Sequence, residues 1–388
     1  MVRNILISAG EASGDLYAAL MADELRRTWP DARLFGCTGP RMRGAGVETV
    51  VDAASLAVVG LVEVVSHIPR IYREYRKLLA ESRLRRPELA ILTDSPDFHL
   101  RLARKPHRQG VPVVYLVAPQ VWAWRKGRLR GMRRTLAHVF CIFPFEEEFF
   151  RHHGVAATYI GHPLAGMVKP ALTRAEFFRK HRLPTSRPLI AVLPGSRRGE
   201  AARHLAPLVD AVARINRQQA ASFILPASAT AGAGFFRERI GEAPIKVIEG
   251  ENWDSIAHAD LALAASGTVT VEAALLGTPL VTFYKVAAAS WMLGRLLVRV
   301  PYYSMVNLIA GRAVVPELMQ SDLTGERLAT EAQRLLGDNA ARAQMRADLA
   351  EVAATLSNPG QSSPQAGTMS RASAIIQDLM EGQLTHVS

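Results

Sequence analysis

The stretch from Asp260 to Lys285, DLALAASGTVTVEAALLGTPLVTFYK, narrows the choice of fold more than any other. Leu261 to Ala264 is a short apolar run of the length a buried strand needs. It breaks at Ser266-Gly267-Thr268, resumes with good helix formers through Glu272 to Leu276, and stops at Gly277-Thr278-Pro279. Leu280 to Tyr284 reads as the next strand. Ser-Gly-Thr therefore sits where a strand feeds the first turn of a helix. The free N–H groups and positive dipole end there attract phosphate. Glu272, one turn beyond Thr268, has a carboxylate that could accept from two sugar hydroxyls, so the pair would suit a nucleotide. An ordinary N-cap followed by an exposed Glu accounts for the same letters.

The same grammar recurs along the chain. Asn4 to Ser8 reads as a strand, AGEASGD (9–15) as a small-residue loop, and Leu16 to Arg27 as a helix. Further strand candidates are Arg33 to Cys37, Val47 to Val51, Glu88 to Thr93, Val111 to Val117, His138 to Phe143 and Thr158 to Ile160. Residues 164–187 are polar and hold one short helical piece, which places a linker there. A second series opens at Pro188 with LIAVL, the loop PGSRRGE and a helix to Arg217, and continues through Phe223 to Pro226 and Lys246 to Ile248. Tyr302 to Arg312 reads as irregular, and the chain from Leu323 as helices without a strand. Two βα series of similar length predict an α/β protein with two doubly wound Rossmann-like domains facing a cleft and a helical C-terminal tail. The expected boundaries are 1–170, 186–322 and 323–388, the tail packing back on the N-terminal domain or exchanged in a dimer.

Two cysteines, Cys37 and Cys141, lie far apart without metal-ligand spacing, which argues for a reducing compartment and against a disulfide framework. The N-terminus reaches Glu11 too soon for a signal peptide, and no apolar run is long enough to span a membrane. A net charge of +12 favours anionic partners. No zinc-finger spacing or aromatic-and-basic RNA-binding signature is present, which lowers the nucleic-acid option.

Candidate chemistry clusters in both halves. Asp94-Ser95-Pro96-Asp97-Phe98-His99 follows a strand, at the edge where open α/β sheets place ligands. This cluster of two carboxylates and an imidazole is the best candidate for a general base; for either Asp alone, an Asx turn and helix cap is the alternative. Gln120, Trp122 and Arg125 belong to PQVWAWR, and six basic residues fall between Arg125 and Arg134. That segment reads either as a sugar or lipid platform with a phosphate clamp, or as a half-buried helix with a solvated side. Glu11 and Ser13 lie in the first loop, whose glycines serve a ligand or only a tight turn. In PGSRRGE, Arg197 suits a diphosphate because its fork donates twice. Asn307 offers an amide to a base or phosphate. Two apolar, basic stretches, Ile68 to Leu79 and Ala287 to Arg299, read as packed helices or as membrane-surface contacts.

Taken together, AGEASGD, GPRM (39–42), DSPDF (94–98), QVWAWR (120–125), FPFE (143–146), IGHP (160–163), LPGSR (193–197), ASGT with Glu272, and NLIAGR (307–312) run almost end to end. In this order and spacing the chain resembles the lipid-A-disaccharide synthase family of inverting glycosyltransferases. The resemblance implies the GT-B fold and a reaction joining UDP-2,3-diacylglucosamine to 2,3-diacylglucosamine 1-phosphate, releasing UDP and a β-1′,6-linked disaccharide phosphate. It implies Asp94 as base for the acceptor's 6-hydroxyl. Arg197, Ser266, Gly267 and Thr268 become diphosphate ligands, Glu272 a ribose ligand and Asn307 a nucleotide contact. Glu11, Ser13, Asp97, Gln120, Trp122 and Arg125 become acceptor or loop candidates. It implies no cofactor and no metal, since no DxD-like pair precedes the donor site. It also implies a cytoplasmic enzyme, peripheral on an anionic membrane surface at the inner face of the inner membrane, without nucleic acid, and a homodimer exchanging C-terminal segments. His99 stands where Asn is common after DSPDF, and Gly166 where IGHP is often followed by Asp. A UDP-N-acetylglucosamine 2-epimerase of the same architecture is the enzymatic rival, and a non-catalytic binder of anionic lipid or nucleotide the rival from another class.

Overall fold

The computed structural model describes residues 3–56, 61–287, 291–292, 300–357 and 364–382. It divides into a first unit of residues 1–166 with 356–388 and a second of residues 167–355. The first unit is built on seven parallel strands: β1 (Asn4–Ser8), β2 (Arg33–Thr38), β3 (Glu48–Asp52), β4 (Leu89–Thr93), β5 (Val113–Leu116), β6 (His138–Cys141) and β7 (Ala157–Tyr159). Their spatial order is β3-β2-β1-β4-β5-β6-β7. The second unit holds β8 (Leu189–Leu193), β9 (Ser222–Ala227), β10 (Ile245–Glu249), β11 (Leu261–Ala265), β12 (Leu280–Tyr284) and β13 (Glu317–Met319). They run parallel in the order β10-β9-β8-β11-β12-β13.

The strand sequences explain their places. LAILT, LIAVL and LALAA are buried at every position, as central strands covered on both faces must be. The edge strand β10, IKVIE, exposes Lys246 and Glu249. In both sheets the chain reverses direction across the strand order between the first strand and the fourth. Those switch points lie between β1 and β4 and between β8 and β11, and ligands of open α/β sheets bind at such points.

Several elements differ from the sequence expectation. The helix after β1 spans Ala12–Thr28, so most of AGEASGD is its first turn rather than loop. Buried Asp15 accepts from the backbone N–H groups of Gly39, Arg41 and Met42 at 2.8, 2.9 and 3.1 Å. One carboxylate thus caps the short helix Pro40–Gly44 and joins two of the motifs. The helix expected from Ile68 starts at Leu61 and runs to Arg85, so Pro69 lies in its interior instead of its first turn. Its Leu78 and Leu79 are core, Tyr75 packs on Phe98, and Tyr72 is 57% exposed. Residues 305–310 form a helix closed by left-handed Gly311, where irregular chain was expected. The three-residue strand β13 was not legible at all.

Of the segment placed as a linker, residues 167–187 belong to the second unit and only 164–166 to the first. Thr173 caps the helix Arg174–Lys180, Phe177 and Phe178 are buried, and Leu172 N–H donates to Asp254 Oδ1 at 2.7 Å. The tail is not one body either. The helix Gly325–Gly337 lies in the second unit, packed on Arg198–Gln218, whereas Pro364–Met380 lies in the first, packed on Ala12–Thr28. Met369, Ala372 and Ile376 enter the core around β1, and Ser370 Oγ donates to Glu24 at 2.8 Å. Of the apolar stretch 287–299, residues 288–290 and 293–299 lie outside the described residues. Among the described residues no helix is long and apolar enough to cross a membrane.

Candidate active site

Asp94 and Ser95 leave β4 in the left-handed region, φ 51° and 35°, immediately before Pro96 opens the helix Pro96–Arg108. Two consecutive non-glycine residues in that region cost energy and persist only where surroundings hold them. The surroundings are specific. The Asp94 carbonyl accepts from Tyr115 Oη and from His99 Nδ1, the latter at 3.0 Å. His99 is fully buried, and burial lowers its pKa to about 4, so the ring is neutral. Nδ1–H then donates to the carbonyl, and Nε2 accepts from Ser8 Oγ at 2.8 Å. His99 in place of Asn keeps a donor on Asp94.

The carboxylate turns the other way, to the switch point between β1 and β4. Gly10 N–H donates to Oδ1 at 2.8 Å and Glu11 N–H to Oδ2 at 2.9 Å. Burial raises the Asp94 pKa to about 7, against these two bonds, which lower it. A Cβ added at Gly14 would lie 1.7 Å from Asp94 Oδ2. Gly14 is thus the gap through which the first helix turn admits the carboxylate. Glu11 is the N-cap position and Ser13 is exposed in the same turn.

Around Asp94 the other first-unit candidates separate. Trp122 Nε1 donates to Glu146 Oε1 at 3.0 Å, and Glu146 Oε2 accepts from Ile142 and Phe143 N–H at 3.2 Å each. Glu146 is fully buried and its pKa is raised by burial to about 8. The indole is therefore held as structure, and sequence reading missed its holder, although FPFE spells a carboxylate three residues after the cap position. Gln120 is exposed. Arg125 donates to both oxygens of Asp97, at 2.9 and 3.0 Å.

In the second unit, LPGSR and ASGT follow the paired strands β8 and β11. Arg197 is exposed at the N-cap of Arg198–Gln218. Buried His204 donates from Nδ1 to the Pro194 carbonyl at 2.8 Å and accepts Lys285 N–H at 2.9 Å, tying this loop to the end of β12. Gly267 caps Thr268–Leu275 with φ 155°, without a side-chain capping bond, and Thr268 is exposed. Glu272 Oε2 accepts from Asn252 at 2.8 Å, and burial raises its pKa against bonds from Trp253 and Asn252.

Two donor-side candidates are already bonded within the protein. Ser266 Oγ donates to the Tyr303 carbonyl at 2.7 Å and Ser266 N–H to the Phe283 carbonyl at 2.8 Å. Both bonds tie the loop after β11 to its neighbours. Asn307 is 1% exposed. Its Nδ2 donates to Val315 O and Glu317 Oε1 at 2.9 and 2.8 Å, and its Oδ1 accepts Val314 and Val315 N–H at 2.7 and 2.9 Å. The amide thus has all its hydrogen-bonding capacity filled within the protein, holding the turn at Val314 and Val315. Glu317, invisible to sequence reading, also accepts the N–H groups of Tyr303 and Ser304.

Two parallel doubly wound sheets of this order define the GT-B architecture of sugar-nucleotide enzymes. The calicheamicin glycosyltransferase CalG4 is similar at TM-score 0.60 and 15% identity, with 99% of each chain covered. UDP-GlcNAc 2-epimerase from Neisseria meningitidis, solved bound to UDP-GlcNAc, is similar at TM-score 0.64 and 10% identity over 97% of this chain and 100% of that one. At these identities the likeness is one of fold. The sequence model of the family described as Lipid-A-disaccharide synthetase matches residues 5–369. The chain is 68% identical to the Lipid-A-disaccharide synthase of Solibacter usitatus over 99% of both. It is 44% identical to that of Koribacter versatilis over 90% of this chain and 92% of the relative. The chain belongs to the lipid-A-disaccharide synthase family, and the family's reaction is UDP-sugar-dependent glycosyl transfer to a lipid-sugar phosphate.

Gly14→Ala forces the Asp94 carboxylate from its seat. Steady-state kinetics should show kcat reduced on the order of 100-fold, with the donor KM near the wild-type value. An unchanged kcat would mean that the seat is not needed.

Proposed function

We propose that Asp94 is the general base of disaccharide formation, that the first unit serves the acceptor, and that the second unit holds the UDP-sugar. The observation that carries this reading is the Asp94 carboxylate at its switch point, set by burial to a pKa of about 7. A base works best with a pKa near the operating pH. In the step we propose, the acceptor's 6-hydroxyl gives its proton to an Asp94 oxygen. The acceptor's 6-oxygen attacks the anomeric carbon of the donor from the side opposite UDP, and the bond to UDP breaks with its electron pair going to the β-phosphate oxygen. One displacement inverts the configuration from α to β. The N–H groups of Gly267 and Thr268, at the uncapped end of Thr268–Leu275, together with Arg197, receive the charge that develops on UDP. Glu272 takes the ribose hydroxyls, in exchange for its bond to Asn252. The Neisseria enzyme of like fold, solved with UDP-GlcNAc, supports a UDP-sugar as the nucleotide ligand.

The test is a mass-spectrometric product assay with both lipid substrates in detergent, with and without EDTA. The disaccharide phosphate should form in both, and Asp94→Ala should lower kcat on the order of 100- to 10,000-fold. The base acts only as carboxylate, so kcat/KM should fall roughly tenfold per pH unit below about 7 and level off above it. A flat profile from pH 5 to 9 would remove Asp94 from the role.

We further propose that the protein docks on an anionic membrane surface through the exposed basic side of Leu61–Arg85, where Arg70, Tyr72, Arg73 and Arg76 face solvent. Each basic residue near such a surface contributes about 1 kcal/mol. Reversing Arg70, Arg73 and Arg76 to Glu should therefore cut sedimentation with phosphatidylglycerol vesicles by roughly 100-fold or more; unchanged sedimentation would reject this surface. The exchanged homodimer belongs to the same proposal, because Met369, Ala372 and Ile376 would fill an identical core in a second copy. Light scattering should give twice the 42.4 kDa chain mass. A monomer mass would end that part.

A further inference from the structure

One cluster beside Asp94 is not used by the chemistry above. The segment leaving β5 carries Trp124, Arg125 and Arg128. The Arg125 guanidinium lies 4.4 Å from the Trp124 ring centroid and that of Arg128 5.7 Å from it. Both guanidinium groups also meet Asp97, in the first helical turn after Asp94. Arg125 reaches this arrangement with φ 58°, in the left-handed region, a conformation that a bulky residue adopts only when something holds it. Two arginines stacked on one indole and converging on one anion form a pre-arranged double fork. Planar guanidinium groups of this kind match phosphate geometry.

The anion now in the fork is a weak occupant. The Asp97 side chain is 65% exposed, against 47% for Arg125 and 16% for Arg128, and a carboxylate so exposed holds its partners weakly. A phosphate monoester brings a charge of roughly −1.5 to −2 and three strong acceptor oxygens, against one carboxylate charge and two oxygens. It would displace Asp97 at small cost. The cluster also lies at the right edge. β5 pairs with β4, so the segment after β5 and the Asp94 loop after β4 adjoin at the C-terminal ends of neighbouring strands.

We propose that Arg125 and Arg128, braced on Trp124, form the subsite that receives the anomeric phosphate of the acceptor, with Asp97 as its placeholder in the unliganded enzyme. The assignment rests on the function proposed above. It explains how the acceptor is distinguished from a sugar of like acylation without that phosphate. The phosphate-free molecule leaves the double fork with its weak carboxylate, whereas the phosphorylated one exchanges that carboxylate for a dianion.

The experiment compares two acceptors, 2,3-diacylglucosamine 1-phosphate and 2,3-diacylglucosamine with a free anomeric hydroxyl, in wild type, Arg125→Gln/Arg128→Gln, Arg125→Lys and Asp97→Asn. Charged hydrogen bonds of this kind are worth about 10- to 100-fold each. The double variant should therefore lose on the order of 100-fold or more in kcat/KM on the phosphorylated acceptor, mostly through its KM. It should be unchanged on the phosphate-free acceptor and in donor KM. Arg125→Lys keeps the charge but not the fork and should fall between. Asp97→Asn removes the competitor and should lower the KM of the phosphorylated acceptor about threefold, on the scale of an exposed pair. Equal losses on both acceptors would show that the arginines only brace the loop, which overturns the subsite while leaving the base intact. No disaccharide from wild type with either acceptor would overturn the proposed function, and the subsite with it.

Discussion

The first unit is organised around how Asp94 is held. Its carbonyl is fixed from below by Tyr115 and His99, and its carboxylate from above by the Gly10 and Glu11 N–H groups. The two sets of bonds pull on opposite ends of one residue and so hold it in the left-handed region. The electrostatics are a contest. Desolvation raises the pKa and the two N–H bonds lower it, and a result near 7 means that burial wins by about 4 kcal/mol. Without the N–H groups the carboxyl would stay protonated at neutral pH. Without the burial it would be too weak a base to take a hydroxyl proton.

The two units put nearly one topology to different uses. In each, the loop after the first strand and the loop after the fourth leave neighbouring strands. In the first unit, the N–H groups entering the helix Ala12–Thr28 are offered to a carboxylate of the chain itself, so that switch point is filled by Asp94. In the second, the helix Thr268–Leu275 begins at Gly267 without a side-chain cap, which is where the proposed diphosphate would sit. Sequence decides between these outcomes with few letters. An acid follows the fourth strand in DSPDF, and glycine between two hydroxyls follows it in ASGT.

The central strands and the motif loops were legible because their signals are local. LAILT, LIAVL and LALAA are apolar throughout, and apolar runs bounded by turn residues read as buried parallel strands. What stayed hidden depends on partners distant in sequence. Asn307 looked like a ligand because an amide in an irregular stretch has no visible partner; Glu317 and the Val314–Val315 backbone fill it only after the chain folds back. β13 has three residues and exists because β12 offers it an edge. Pro69 reads as a helix opener, yet its helix begins two turns earlier. Ser266 carries a hydroxyl in the right place, but the Tyr303 carbonyl takes its proton.

Burial sorts the remaining polar motif residues by what they can do. Asp15, Glu146, His99 and His204 are buried with their bonds directed inward, to backbone groups or to Trp122 and Ser8. Each makes a loop rigid and is closed to a ligand. Asp97, Arg125, Thr268 and Arg197 are exposed at the same sheet edges. A side chain already committed on every polar atom would have to break bonds in a low-dielectric interior to bind anything, whereas an exposed one exchanges a weak, hydrated partner for a stronger one. Asp94 alone combines the two. Its backbone is committed like the first group, while its carboxylate, held by the Gly10 and Glu11 N–H groups and the Ser95 side chain, retains lone pairs for an incoming proton. That combination, more than the presence of a carboxylate at a strand end, is what supports its proposed role as the base.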